Sequence, residues 1–479
     1  MFSAWPLFIT EIGLVALSLG CIALDFMLPA RGQDRGRGLA SLAMGGLTLL
    51  LVILCFQWGR FGTVLGGSFT QDGLSFFFKI IFLSAGILVL SMAKDYQSKV
   101  ERGHSEFILL ILFSLTGMVF LVSATDFLLF FVALETLTIS VYIMTAYLRK
   151  NDASIEAGVK YLVLGALSTA LFLYGLSFVY GATGSTSYAV IQAKLAVLPA
   201  APQSFLFGAA LIVCALGFKI AAVPFHLWTP DIYEGAPTPV TAYLAIASKA
   251  AGFAALLRVT AVILTPAHAT FLPLFAVLSA LTIFYGNLGA IPQTNIKRLM
   301  GYSSIGHAGY LLIGLAAFGH SGKEALSFYL LSYLFSTGGV FVVIVALSNI
   351  FKTDSIAEYA GLSKRSPLAA ATMLLALLSL AGVPPLAGFF AKFWLLWSGV
   401  KAGLLWLALV GVLNVITSLY YYLKIVKVMY VDKPLDTTEI KLTFGQRLMH
   451  YVCILGILIL GIYPGPFVRL AEQAFLNLR

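Results

Sequence analysis

Four ionisable residues lie deep inside long runs of hydrocarbon: Glu135, Lys219, Lys249 and Lys392. A lysine at the centre of a spanning helix costs about 2.5–3.5 kcal/mol on insertion scales, so three of them point to a use. Glu135 precedes Arg149 by fourteen residues, roughly 21 Å of helix, which puts it near mid-bilayer. One carboxylate neutralises only one lysine. The others must face water, each other or further polar groups, the make-up of a hydrated ion path rather than of a static pair. The chemistry suits protons. Burial or a neighbouring cation favours a neutral amine, whereas a nearby carboxylate favours the ammonium. A change in the Glu135–Lys219 distance would therefore switch the lysine between releasing and holding a proton. Lysine has donors and no acceptor, which makes it a poor Na⁺ ligand, and the oxygens that hard cations require are scarce in these runs.

A second tier is less specific. Lys79, Lys160 and Arg258 lie nearer predicted helix ends, where snorkelling or a local ion pair explains a charge as well as function does. Lys160 follows Glu156 by four residues, the spacing of a salt bridge on one helix face. His226 follows Pro224, and His307 stands in the run YSSIGHAGY. For His307 a packing hydrogen bond and a proton-carrying role both remain open. Haem requires axial ligands facing one another, which these two differently placed histidines do not suit. Tyr142, Ser168, Ser303, Ser304, Tyr310 and Ser332 are placed to hold waters, although each is ordinary alone. No GxGxxG or GxxxxGK[ST] string occurs, and GATGS at Gly181–Ser185 follows a membrane helix rather than a strand. The expectation is a chain that binds no cofactor of its own and neither oxidises NADH nor hydrolyses ATP.

The elements that must position these groups are helices in lipid. Of 479 residues, 60% are hydrophobic and 10% charged, with a mean hydropathy of +0.96. So little charge does not cover a soluble protein of this length. About fourteen segments approach the roughly 20 apolar residues that a span needs, which predicts an all-α integral membrane protein. Glu135 falls in the fifth (Phe127–Leu148), Lys219 in the seventh (Phe205–Val223) and Lys249 in the eighth (Val240–Leu264). His307 falls in the tenth (Leu299–Phe318), and Lys392 in the twelfth (Leu368–Val400), which is too long for one straight span. The opening segment, Pro6–Leu28, holds Glu11 and lacks a basic leader, so a retained helix is expected rather than a signal peptide. Gly and Pro interrupt the seventh segment at ALGFKIAAVPFHLW and the twelfth at LAGVPPLAGFFAKFW. Paired interruptions point to inverted repeats, but Lys219 precedes its proline and Lys392 follows its own, so these strings alone do not establish one.

The formal charge of +10 is a topology signal, not a nucleic-acid footprint. Lys and Arg gather in alternate loops: Arg31, Arg35 and Arg37; Lys94, Lys99 and Arg102; Arg149 and Lys150; Lys297 and Arg298; Lys352, Lys364 and Arg365; and finally Lys424 to Arg447. The positive-inside rule makes these loops cytoplasmic, and an even helix count then leaves both termini outside. The connection His226–Pro239 carries no Lys or Arg, so something besides topology shaped it. Cys21, Cys55, Cys214 and Cys453 are scattered, without the spacing of a disulfide framework or an iron–sulfur site.

Several runs carry a resemblance: LETLTISVYIM (Leu134–Met144), EAGVKYLVLGALSTALFLYGLSFVYGATG (Glu156–Gly184), GFKIAAVPFHLWTPDIYEGAPTPVTAYLAIASKAAGF (Gly217–Phe253), KRLMGYSSIGHAGYLL (Lys297–Leu312) and LAGVPPLAGFFAKFWL (Leu380–Leu395). Together they resemble the subunit N family of bacterial proton-pumping NADH–quinone oxidoreductase, respiratory complex I, within the wider antiporter-like, Mrp-related superfamily. The string SKAAGF distinguishes it, placing Lys249 where L-type and Mrp relatives usually have histidine. The resemblance implies two inverted five-helix repeats, helices four to eight and nine to thirteen, with helices seven and twelve broken. The expected division is 1–106 for an N-terminal three-helix segment, 107–430 for the core, and 431–479 for a cytoplasmic connection and final helix. The resemblance also implies a proton relay of Glu135, Lys219, Lys249 and Lys392, with Lys160 matching a recurring family lysine. It implies a bacterial inner-membrane location, other membrane-arm subunits and lipid as partners, and no nucleic acid. NADH, FMN, iron–sulfur clusters and quinone would belong to partner subunits. An Mrp-type Na⁺/H⁺ antiporter subunit, the membrane arm of a hydrogenase-type complex, and a structural subunit whose charges only glue subunits together are the rival expectations.

Overall fold

The computed structural model describes residues 6–27, 32–264, 268–351, 353–434, 436 and 438–476. Leu28, Arg31 and Lys352 lie outside the described residues. Helices α1 (Ile9–Met27) and α2 (Gln33–Cys55) lead to a hairpin of β1 (Gly62–Val64) and β2 (Phe69–Gln71), paired antiparallel with Gly62 opposite Gln71. There follow α3 (Gly73–Tyr96), α4 (His104–Ser123), α5 (Phe127–Thr145), α6 (Asp152–Thr183) and the short α7 (Tyr188–Ala196). Next come α8 (Gln203–Lys219), α9 (Trp228–Gly235), α10 (Thr238–Tyr243) and α11 (Lys249–Val262), with a π-helical turn, Leu244–Ser248, joining the last two. The remainder is α12 (His268–Ala290), α13 (Ile296–Ala316), α14 (Lys323–Ser348), the single turn α15 (Leu362–Arg365), α16 (Pro367–Ala381), α17 (Ala387–Lys401) and α18 (Leu405–Tyr430). The chain closes with α19 (Phe444–Ile462) and α20 (Gly465–Leu476).

The helical membrane fold expected from composition is present. Among the described residues, 11 helices are long and apolar enough to cross a membrane. The remaining expected segments fall on the two interrupted helices, α8/α9 and α16/α17, whose halves are each too short alone, and on α13. In α13 four glycines, two serines and His307 lower the hydropathy. Helix starts use local chemistry: Asp126 caps α5 through the Leu128 N–H at 2.7 Å, and Asn295 caps α13 through the Lys297 N–H at 2.9 Å. Such caps satisfy donors that the helix itself leaves open.

Burial sorts the helices into a core and a rim. The span containing α10 and α11 is buried along its whole apolar window, and α14 nearly so. By contrast, α5 exposes Leu128, Val132, Ile139 and Ile143, and α18 exposes Leu405, Leu409, Leu413 and Ile416, one stripe each at helical spacing. Such stripes suit lipid or a neighbouring membrane subunit. Where backbones must approach closely, glycine permits it. A Cβ on Gly286 would lie 2.2 Å from the Gly306 nitrogen, which brings α12 and α13 together as small residues do in membrane helix pairs.

The loops segregate to two ends. At one, Phe69 bridges to Ala124 and Asp126 to Ser187. At the other, the Tyr147 hydroxyl donates to the Gly103 carbonyl at 2.5 Å, Lys297 pairs with Asp354 at 3.3 Å, and Arg365 with Asp436 at 3.3 Å. The loops rich in Lys and Arg therefore share one end of the bundle.

Candidate functional site

The site begins where α8 stops. Lys219 is its last residue, and the chain then turns through Ala221, whose φ of 62° lies in the left-handed region. A non-glycine residue costs of order 1–3 kcal/mol there and persists only where its surroundings hold it. Three bonds do so. The Ala222 N–H donates to the Gly217 carbonyl at 2.9 Å and the Trp228 indole N–H to the Phe218 carbonyl at 3.0 Å, while the Val223 N–H reaches Thr282 on α12 at 3.0 Å. The break is thus secured from the other half of the molecule.

Lys219 is only 6% exposed, and its Nζ donates to the Tyr142 hydroxyl at 3.1 Å. Glu135, half-buried on the same helix as Tyr142, accepts instead from the Thr169 hydroxyl of α6 at 2.8 Å. No Glu135 oxygen lies within the 4.0 Å of Lys219 that defines an ion pair. The expected partners are thus neighbours held apart. Lys219 lies at the carboxyl end of a half-helix, the negative end of its dipole.

From there the groups continue across the bundle. A Cβ on Gly252 would sit 3.5 Å from the Lys219 backbone, so α11 passes close behind the break one turn beyond Lys249. Lys249 follows the π-helical turn and donates to the Ser304 carbonyl of α13. The Ser304 hydroxyl lies 3.1 Å from that of Tyr233. His307, one turn further along α13, bonds Tyr329 through Nδ1 at 2.6 Å and Tyr422 through Nε2 at 3.1 Å, and Tyr422 also bonds Ser303. Between His307 and Lys392 lies a cavity of about 10 Å³ lined also by Tyr329, Ser332 and Ser336, close to the room a single water needs. Lys392 donates to the Ala381 carbonyl at 3.1 Å, the last residue of α16, and its ammonium lies 4.9 Å from the Tyr310 ring centre. Again a lysine faces the carbonyl end of a broken helix.

Other buried cations behave differently. Lys79 pairs with Glu11 at 2.6 Å and also bonds Gln71, and Arg258 forks onto Asp72 and the Val122 carbonyl. Of snorkelling, an ion pair and a functional role, the structure shows the ion pair for both residues. Lys160 stands with Glu156 (2.7 Å) and Asp231 (2.8 Å), and Arg298 joins Asp231 and Glu234 (2.8 Å each). This network is partly exposed, and it ties α6 and α9 to α13 rather than joining Lys160 to the buried lysines. His226 packs edge-on against Tyr285, with ring centres 4.0 Å apart, in the break itself. A larger cavity of about 740 Å³ lies at the hairpin end, lined by Gln71, Asp72, Thr125 and Tyr188 among others, and touches none of the three lysines.

The structure therefore sets the buried Lys219, Lys249, His307 and Lys392 in sequence across the bundle, with the half-buried Glu135 beside the first and with Lys160 and His226 at the flank. Sequence reasoning missed Thr169, Tyr233, Tyr329 and Tyr422, because hydroxyls in apolar helices read as core. The one available signal was the spacing of Tyr329 and Tyr333, which puts two hydroxyls on one helix face.

Two interrupted helices, each presenting a buried lysine beside its carbonyl end, define an antiporter-like membrane subunit. Residues 124–418 match the family described as NADH:quinone oxidoreductase/Mrp antiporter, transmembrane region, and the chain belongs to that family. It is 42% identical over 470 residues to NADH-quinone oxidoreductase subunit N of Desulforamulus reducens, with 98% of each chain covered. To the subunit of the same name from Moorella thermoacetica it is 43% identical over 465 residues, covering 97% of each. Among solved structures it resembles a chain of respiratory complex I from Thermus thermophilus with bound aureothin (TM-score 0.82, 34% identity, 96% of this chain and 98% of that one). A chain of the Mrp complex from Dietzia sp. shares the fold at TM-score 0.85 and 21% identity, covering 98% and 97%.

Proposed function

We propose that this chain is a proton-translocating membrane-arm subunit of an NADH–quinone oxidoreductase, moving protons along Glu135, Lys219, Lys249, His307 and Lys392. One observation carries the reading. Lys219, Lys249 and Lys392 are at most 6% exposed, yet among the described residues each bonds neutral oxygen rather than a carboxylate. A permanently charged group at such depth takes a counter-ion, as Lys79 and Arg258 do here. A group that must gain and lose its proton is better served by hydroxyls and helix carbonyls, which tolerate both forms. The His307 ring with its two tyrosines, and the small cavity beside it, supply the step between Lys249 and Lys392 that neither lysine spans alone.

Moving one charge against 100 mV costs about 2.3 kcal/mol, so the driving energy comes from outside this chain. In this reading NADH, FMN, iron–sulfur clusters and quinone reside in partner subunits, and the exposed stripes of α5 and α18 meet lipid or neighbouring membrane-arm subunits. The basic loops face the cytoplasm of a bacterial cell, with both termini outside.

The test is a gentle-detergent isolation of the tagged chain with NADH:quinone activity assayed on the eluate, followed by Lys219→Ala in inverted membrane vesicles. The expectation is co-isolation of flavin and iron–sulfur subunits, and a loss of NADH-driven proton uptake in an assembled complex. Co-isolation with antiporter subunits alone, without redox activity and with a response to Na⁺ gradients, would assign the lysines to an ion exchanger. Normal proton uptake in the Lys219→Ala complex would sink the relay itself.

A further inference from the structure

Helices α5 and α6 face each other with matched stripes. On α5, Glu135, Thr138 and Tyr142 follow one another at spacings of three and four. On α6, Gly165 and Thr169 stand one turn apart, so each set shares a helix face. A threonine inside a helix commonly returns its hydroxyl hydrogen to the carbonyl four residues back. In this chain Thr116, Thr136, Thr145 and Thr372 all do so. Thr169 does not. Its hydroxyl crosses to Glu135 Oε1 at 2.8 Å. One turn away, a Cβ on Gly165 would lie 1.9 Å from the Tyr142 hydroxyl. Only glycine at that place leaves Tyr142 the position from which it accepts the Lys219 hydrogen bond at 3.1 Å.

Resting on the relay reading above, we propose that Thr169 and Tyr142 form a two-part latch that holds Glu135 and Lys219 apart, with Gly165 making room for it. Each half of the pair has a neutral substitute partner, Thr169 for Glu135 and Tyr142 for Lys219. Neutral partners bind a charge more weakly than an opposite charge does. The latched arrangement can therefore yield to the direct ion pair when the surroundings change, for instance when Lys249, on the helix just behind Lys219, gains its proton. Thr169, Tyr142 and Gly165 are positioning residues: they decide when the pair closes.

The assembled complex in inverted vesicles, carrying Thr169→Val, tests this. Valine keeps the shape and removes the hydroxyl. NADH-driven proton uptake is expected to fall about tenfold, as loss of one hydrogen bond to a charged group implies, and Thr169→Ser is expected to recover most of it. Gly165→Ala should reproduce the effect of Tyr142→Phe, and the double variant should be no worse than either single one. An infrared readout is independent of turnover: the carboxylate band lost in Glu135→Gln should shift in Thr169→Val and return in Thr169→Ser. An unmoved band, or wild-type proton uptake in Thr169→Val while Lys219→Ala abolishes it, overturns the latch and leaves the relay standing. Undiminished uptake in Lys219→Ala overturns the relay, and the latch with it.

Discussion

At the scale of single residues, what separates the charges in this membrane protein is the partner each one keeps. Lys79 and Arg258 are fully buried and bound to Glu11 and Asp72, whereas Lys219, Lys249 and Lys392 are equally deep and bound to neutral oxygen. A buried ion pair gains little net stability over an apolar pair, but removing one member strands the other, at about 3–5 kcal/mol. Arg258→Leu should therefore lower the melting temperature of the complex and the amount assembled, and Arg258→Leu with Asp72→Asn should recover much of both. Asparagine can still cap α3, where Asp72 accepts from the Ser75 N–H at 2.9 Å, because both residues make good N-caps. If the double variant is as damaged as the single one, the pair does more than balance charge.

At the scale of elements, the two broken helices carry the design. Each break has a lysine at its edge: Lys219 closes α8 and bonds the Tyr142 hydroxyl, and Lys392 bonds the Ala381 carbonyl that ends α16. The second break depends on close packing. A Cβ on Gly388 would stand 1.8 Å from the Ser379 carbonyl oxygen, a backbone atom that cannot swing aside. Gly388→Ala should thus push α17 away from α16 at a cost of about 1–3 kcal/mol. Lys392, one turn further along α17, would lose its approach to the Ala381 carbonyl. Lower thermal stability together with weakened proton uptake is the expected result. Gly45→Ala, where a Cβ meets nothing within 4 Å, should leave both near wild type. A Gly388→Ala complex with unchanged uptake would show that Lys392 does not need the α16 carbonyl end.

At the scale of the whole molecule, loops rich in Lys and Arg gather at one end and the β1–β2 hairpin at the other, which makes orientation testable without touching the lysines. Thr63 of the hairpin and Ser98 after α3 are both exposed. In a Cys55→Ser background, needed because Cys55 is exposed, a membrane-impermeant thiol reagent should label Thr63→Cys in intact cells and Ser98→Cys only in inverted vesicles. The opposite pattern would reverse the assigned sidedness of every loop.

The sequence by itself determined the membrane class, the places where helices must break, and the four costly charges Glu135, Lys219, Lys249 and Lys392. These were legible because the penalty for a charge in hydrocarbon, and the effect of Gly and Pro on a helix, belong to the residue and its near neighbours. Tertiary structure alone decided the partners. Arg258 meets Asp72 across 186 residues of chain, and the hydroxyls of Tyr329 and Tyr422 converge on His307 from two other helices. Lys160 and Lys219 look alike as lysines in apolar runs, yet one is 41% exposed in an ion network and the other is buried beside a tyrosine. Neither the short α7 and α20 nor the hairpin was anticipated, since brief elements lack the long apolar periodicity that marks a span. Which face of a helix turns inward depends on how neighbouring helices rotate and pack, and one chain's hydropathy does not encode that rotation when both faces are apolar.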